Sequence, residues 1–95
     1  MAAYVISDLE IRDRALVERY RSLAQASIAK FGGRYLARGG VVEPVEGGWT
    51  PKNIVIVEFP TMEKAREWYR SPEYAPLITL RQKASRGRLV LSEGT

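Results

Sequence analysis

Ninety-five residues allow one domain (residues 1–95) and a modest core, which burial against a second subunit would enlarge. The chain has no cysteine and no histidine, which excludes disulfides, thiolate nucleophiles, histidine-ligated haem and a histidine general base. Its net charge of +4 permits attraction to anions, but basic and acidic residues alternate (Arg12-Asp13-Arg14, Glu63-Lys64, Arg66-Glu67), as on a solvated helix face and unlike a nucleic-acid stripe. The N-terminal MAAYVISDLE lacks the basic region and long apolar core of a signal peptide, and no run reaches membrane-spanning length. The expectation is a cytoplasmic protein with no membrane or nucleic-acid partner.

In chain order, Ala3 to Asp8 is a short apolar run suited to a buried strand, and Leu9 to Arg12 reads as the turn that follows. Asp13 is placed to cap a helix, its carboxylate accepting from free amides of the first turn. Leu16, Tyr20, Leu23, Ala24, Ser27, Ile28 and Phe31 then recur every three or four residues, one apolar helix face closed by Gly32-Gly33. Arg34 to Arg38 reads as a strand with Tyr35, Ala37 and Gly39 on one face and Arg34, Leu36 and Arg38 on the other. Gly39-Gly40 suggests a bulge. Glu46 to Pro51 is the hairpin loop, centred near Gly48. Ile54 to Val57, apolar at both parities and followed by Glu58-Phe59-Pro60, reads as a strand buried on both faces.

Thr61 can cap a helix with Met62, Ala65, Trp68 and Tyr69 inward. Ser71-Pro72 interrupts it and suits the start of a second helix presenting Tyr74, Leu77, Ile78 and Arg81. Arg86-Gly87-Arg88 closes that helix, and Leu89 to Glu93 is the last strand. The order strand, helix, strand, strand, helix, strand predicts an α+β, ferredoxin-like β-α-β-β-α-β sandwich: four antiparallel strands with the helices on one face. Both parities of Ile54 to Val57 are apolar and the helices cover only one face, so the expected cover for the other is a second copy of the chain, a homodimer.

Several residues carry a family resemblance across nearly the whole chain: Gly32-Gly33-Arg34-Tyr35-Leu36-Ala37-Arg38-Gly39-Gly40, Glu46-Gly47, Trp49, Val57-Glu58-Phe59-Pro60, Ala65, Trp68-Tyr69, Ser71, Glu73-Tyr74 and Arg81. In these the chain resembles the domain-of-unknown-function 1330 family. The resemblance implies the dimeric α+β barrel, in which two ferredoxin-like sheets pack face to face and each protomer keeps a cavity. Superfamily relatives include small monooxygenases, haem-handling proteins and isomerase-like enzymes. Fold is therefore implied more strongly than activity.

Two groups of residues are candidates for chemistry. A hairpin centred near Gly48 sets Arg38 about opposite Glu58, where Arg38 would hold a carboxylate and Glu58 act as base; the alternative is a structural ion pair. Trp68, Tyr74 and Arg81 are candidate ligand-binding residues, Tyr74 and Arg81 being seven apart on one helix face; packing in the core or the dimer competes with this. Gly39 offers a backbone amide to an anion, or simply the bulge. Trp49 in the loop is placed to lid a cavity or contact a partner.

These residues favour a small homodimer with a pocket for a small organic anion, consistent with a cofactor-free oxygenase or isomerase; no metal or cofactor is called for. A non-catalytic structural or interaction dimer is the alternative. An RNA-recognition motif needs aromatics on its central strands, and of Asn53 to Phe59 only Phe59 is one, which argues against it. An acylphosphatase-like enzyme needs a glycine-rich anion loop after the first strand, where Asp8 to Asp13 is acidic and has no glycine.

Overall fold

The computed structural model describes all 95 residues, Met1–Thr95. Four strands, β1 (Ala3–Ile11), β2 (Arg34–Arg38), β3 (Ile54–Phe59) and β4 (Ser85–Glu93), form one antiparallel sheet in the order β2-β3-β1-β4. Three helices, α1 (Arg14–Lys30), α2 (Met62–Arg70) and α3 (Ala75–Ala84), cover one face of it. This is the expected ferredoxin-like α+β arrangement, with the second helix in two pieces. No helix is long and apolar enough to cross a membrane.

Strict alternation makes β1 the spine. Ala3, Val5, Ser7 and Leu9 are buried under the helices, while Tyr4, Ile6, Asp8 and Glu10 face the other way. The strand runs three residues past the expected Asp8. Leu9 is buried and Ile11 pairs with Ser85, so the stretch read as a turn is sheet. The same pairing draws Arg86-Gly87-Arg88 out of the expected helix end and into β4, which pairs with β1 from Ser85↔Ile11 to Glu93↔Ala3.

Helix ends follow their caps. Asp13 Oδ1 accepts from Leu16 N–H at 3.1 Å, and Thr61 Oγ1 from Lys64 N–H at 3.1 Å. Gly32, at φ 82°, turns the chain out of α1. Ser71 does not open α3 as its sequence context suggested. It ends α2, donates from Oγ to the Trp68 carbonyl at 2.8 Å and accepts from Tyr74 N–H at 3.2 Å. That turn sets Tyr74 at the head of α3 and points it into the core.

The core lies between sheet and helices, and Trp68, Tyr74 and Phe59 are its largest fully buried side chains. Trp68 stacks on Tyr74 with centroids 4.1 Å apart and on Phe59 at 5.3 Å. Its indole N–H donates to Ser27 Oγ at 3.2 Å, which satisfies the one polar atom that this burial would otherwise strand.

Candidate anion-binding site

The residues flagged in the sequence fall on two faces of the sheet, because the β2 irregularity is not where Gly39-Gly40 suggested. The register shifts between Tyr35 and Ala37: Tyr35 pairs with Val57, whereas Ala37 pairs with Ile56 and Arg38 with Val55. Leu36 is the extra residue, and beyond it the alternation of side chains is inverted. Tyr35 and Arg38 therefore share the helix-covered face, and Arg34 and Ala37 the open one. Glu58 lies opposite Arg34, whose Nε donates to its Oε1 at 2.9 Å. The expected Arg38–Glu58 pairing is thus corrected: the two point to opposite faces, and Glu58 closes a surface ion pair instead.

On the covered face, a narrow cavity of about 40 Å³ lies between the sheet, α1 and α3. Its floor is one complete row across the sheet, Arg38–Val55–Ser7–Leu89, each residue directly opposite the next in register. Tyr20 and Arg21 of α1 form one wall and Arg81 of α3 the other, with Trp68 and Tyr74 at the inner end. The cavity gathers Arg38, Trp68, Tyr74 and Arg81 of the residues singled out from sequence. Gly39 stands at its β2 edge with φ 70°. A Cβ there would sit 3.8 Å from Arg21 Nη2 and 3.3 Å from the Asn53 side-chain oxygen, which is buried without a hydrogen-bond partner. Trp49 lies elsewhere, exposed in a cleft with Asp8, Lys52 and Arg88.

Tyr20, Arg21, Tyr35 and Ser7 were not singled out as binding residues. Tyr20 merges with the apolar periodicity of α1, and Tyr35 reads as an ordinary sheet residue. The one signal for Ser7 is a hydroxyl at an inward position of a strand otherwise lined by Ala3, Val5 and Leu9.

The polar side chains form a chain of contacts. The hydroxyls of Tyr20 and Tyr74 are 2.5 Å apart, and Arg81 Nη1 donates to the Tyr74 oxygen at 3.0 Å. Two phenol hydrogens serve a single mutual hydrogen bond, so one O–H is not used in it. The Arg38 guanidinium stands 4.5 Å above the Tyr35 ring, a cation–π contact at the cavity edge.

Burial pushes the Tyr74 phenol far above its usual 10.0, and Tyr20 adds to the effect while Arg81 opposes it. Burial likewise raises Tyr35, with Arg38 and Arg21 opposing. At neutral pH both are neutral hydrogen-bonding groups rather than bases. Burial works against charge on Arg81, but the oxygens of Tyr74, Tyr20 and Tyr69 together outweigh it and hold the guanidinium above its usual value.

Charge in the cavity is one-sided. Arg21, Arg38 and Arg81 line it and no carboxylate does. Arg21 has a partner outside, Glu18 at 3.3 Å, whereas Arg38 and Arg81 have no ion pair. Arg38 is exposed on β2 and solvated, whereas Arg81 is half-buried and has neutral phenol oxygens in place of an ionic partner.

The family model for the domain of unknown function DUF1330 matches residues 2–95. The chain belongs to this family. Among solved structures, this DUF1330 member is similar to the RPA0582 protein of unknown function from Rhodopseudomonas palustris (16% identity, 99% of this chain and 82% of that one, TM-score 0.75). It is also similar to SnoaB, a cofactor-independent oxygenase from Streptomyces nogalater (12% identity, 99% and 93% covered, TM-score 0.69). A dimeric protein of unknown function with a ferredoxin-like fold, from Bacteroides fragilis, matches at 15% identity, 98% and 96% coverage and TM-score 0.63. No curated protein matches the chain. At such identities the likeness establishes the fold, and the reading of the site rests on its own side chains.

Proposed function

We propose that this DUF1330 protein binds a small organic anion in the cavity between sheet and helices and works as a homodimer. The observation that carries the binding reading is the lining itself: three guanidiniums, no carboxylate and one phenol hydrogen outside the tyrosine pair's mutual bond, in an otherwise mostly apolar cavity. Arg38 and Arg81 act as ligand-binding residues, Tyr74 and Tyr20 as hydrogen-bonding partners, and Trp68 as the wall that fixes the inner end. Gly39 supports the β2 edge without a side chain of its own. Glu58 has no part in this site.

The dimer reading is supported by the open face of the sheet. Tyr4, Ile6, Ile54, Ile56 and Val90 lie there with no helix over them; the loop from Val42 to Pro51 borders Ile6 and Ile54, and Val90 is 57% exposed. Around these residues charges are matched in register, Asp8 opposite Arg88 and Glu10 opposite Arg86. An apolar centre with a balanced charged rim suits a second copy of the same surface, and one structural neighbour is described as dimeric.

A lining of this kind also suits a reaction that passes through a carbanion or enolate, whose charge the arginines and the phenol would stabilise. Cofactor-free oxygenation and isomerisation both take that form, and the neighbour described as a cofactor-independent oxygenase has the same fold. Ligand capture without turnover would instead make the protein a carrier.

Trp68 borders the cavity, so its fluorescence reports on occupancy once the second tryptophan is removed by Trp49→Phe. Titration of that variant with small carboxylic acids at constant ionic strength is expected to give saturable changes that weaken at least tenfold on Arg38→Gln. Absence of saturable binding by any acid would overturn the binding reading. Light scattering that shows a monomer at micromolar concentration would overturn the dimer.

A further inference from the structure

A second, larger pocket of about 190 Å³ opens between α3, the end of α2 and the β4 edge of the sheet. It shares Leu9, Arg81, Ser85 and Leu89 with the cavity of about 40 Å³, so the two lie side by side. Arg81 stands at the partition. Tyr74, whose oxygen accepts from Arg81 Nη1 at 3.0 Å, lines the cavity and not the pocket. Tyr69 lines the pocket and not the cavity, and its hydroxyl acts on the same guanidinium. No carboxylate lines the pocket. Arg88 borders it too, but its side chain belongs to the open face, in register with Asp8.

The β4 edge adds backbone groups to this pocket. In an antiparallel pair, alternate residues turn both N–H and C=O toward the partner strand, and the residues between turn both away. Gly94 N–H donates to the Ala2 carbonyl at 2.8 Å, and Arg12 N–H to the Ala84 carbonyl at 2.9 Å. These two bonds fix the phase. Arg86, Arg88 and Val90 present their backbone groups to β1, whereas Gly87 and Leu89 present theirs to the outer edge, where β4 has no neighbouring strand. Both Gly87 and Leu89 line the pocket. Ser85 N–H is already taken by the Arg81 carbonyl. A residue that offers one free donor beside one free acceptor matches a hydroxyl, which both donates and accepts. Size points the same way. An engineered cavity that takes up benzene measures about 150 Å³, which the pocket exceeds and the cavity behind it does not approach.

We propose that this outer pocket binds a monocyclic carboxylic acid bearing a ring hydroxyl. The carboxylate accepts from Arg81 at the partition, the ring lies against Tyr69, Leu9 and Leu89, and the hydroxyl meets the free backbone groups of Gly87 and Leu89. This goes beyond an anion in the inner cavity and shares with that reading only Arg81 as the cationic group. Arg21 and Arg38 do not line the outer pocket and have no part in it.

The test is calorimetric titration of the intact protein at constant ionic strength with acetate, benzoate, 3-hydroxybenzoate and 4-hydroxybenzoate. The better hydroxybenzoate is expected to bind at least about tenfold tighter than acetate, through the buried ring, and severalfold tighter than benzoate, through the added hydrogen bond. Gln82→Phe, at an exposed position that lines only the outer pocket, should fill it and weaken the hydroxybenzoate severalfold while acetate keeps its affinity. Arg38→Gln should do the reverse. Arginine Nε–H resonances of the unaltered protein give a reading that no variant's folding can disturb: the hydroxybenzoate shifts Arg81 and leaves Arg21 and Arg38 unmoved. Loss of hydroxybenzoate binding on Arg38→Gln, with shifts at Arg21 and Arg38, would place the ligand in the inner cavity and overturn the outer pocket while leaving the anion-binding reading intact. Benzoate as tight as both hydroxybenzoates would overturn the part assigned to the β4 edge. Absence of saturable binding by any of the ring acids would overturn the proposal whether or not acetate binds in the inner cavity.

Discussion

The two faces of the sheet are built from the same strands and differ in what they do with charge. On the helix-covered face, three arginines converge on a cavity without a carboxylate, and the oxygens near them are neutral phenols. On the open face charges of opposite sign stand across from each other: Arg34 forms an ion pair with Glu58, and Arg88 and Arg86 lie in register with Asp8 and Glu10. A balanced face suits self-association, since two like surfaces can meet without net repulsion. An unbalanced pocket suits a ligand that supplies the missing sign.

The largest effect is expected on the covered face. Trp68→Ala removes the indole packed on Tyr74 and Phe59 and should cost about 3–5 kcal/mol in urea unfolding, as large-to-small core changes do. On the open face, Ile56→Asp places a charge in the apolar centre. It should weaken the proposed dimer by roughly a hundredfold or more in analytical ultracentrifugation, an unpaired buried charge costing about 3–5 kcal/mol. A dimer that survived this change would show that the open face is not its interface.

Next in size is Tyr74→Phe, which strands Arg81 Nη1 and the Tyr20 hydroxyl and should cost about 1–3 kcal/mol. It also has a signature in pH. The folded Tyr74 phenol titrates above its unfolded value of 10.0, so the native state holds a proton that the unfolded state loses. That contribution is complete below pH 10.0 and declines as the pH rises above it. Tyr74→Phe should flatten the alkaline limb of the stability profile.

Asp8 provides the opposite sign on the other face. Burial pushes its carboxyl up, but the amides of Asn53 and Lys52, the Trp49 indole and the Arg88 charge outweigh this and hold it below its usual 3.8. The stabilisation is present above the unfolded value and is lost as the pH falls through the folded one. Asp8→Asn should therefore shallow the acid limb and leave the alkaline limb alone. The smallest effect is expected of Arg34→Ala. With the Arg34 side chain 72% exposed, its ion pair with Glu58 should contribute no more than about 0.5 kcal/mol.

How much of this was legible follows from the range of each signal. The caps Asp13 and Thr61, the helix face from Leu16 to Phe31 and the apolar run Ile54 to Val57 are local patterns, and each forms the element it indicates. The extension of β1 to Ile11 depends on pairing with Ser85, more than seventy residues away, which no local pattern records. The bulge at Leu36 mattered most for the site. One extra residue carries Arg38 to the opposite face from the one strict alternation assigns, and it separates Arg38 from Glu58. Arg81 and Tyr74 were found because their spacing of seven holds within a continuous turn and helix. Tyr20 was overlooked because its role depends on α1 meeting α3, a contact made across 54 residues.

The most direct measurement is nuclear magnetic resonance of the arginine Nε–H groups while acetate is added at constant ionic strength. Saturable shifts at Arg21, Arg38 and Arg81, with Arg34, Arg86 and Arg88 unmoved, are the predicted result. Equal, non-saturating shifts on both faces would contradict it, since the anion would then be sampling a basic surface instead of occupying a site.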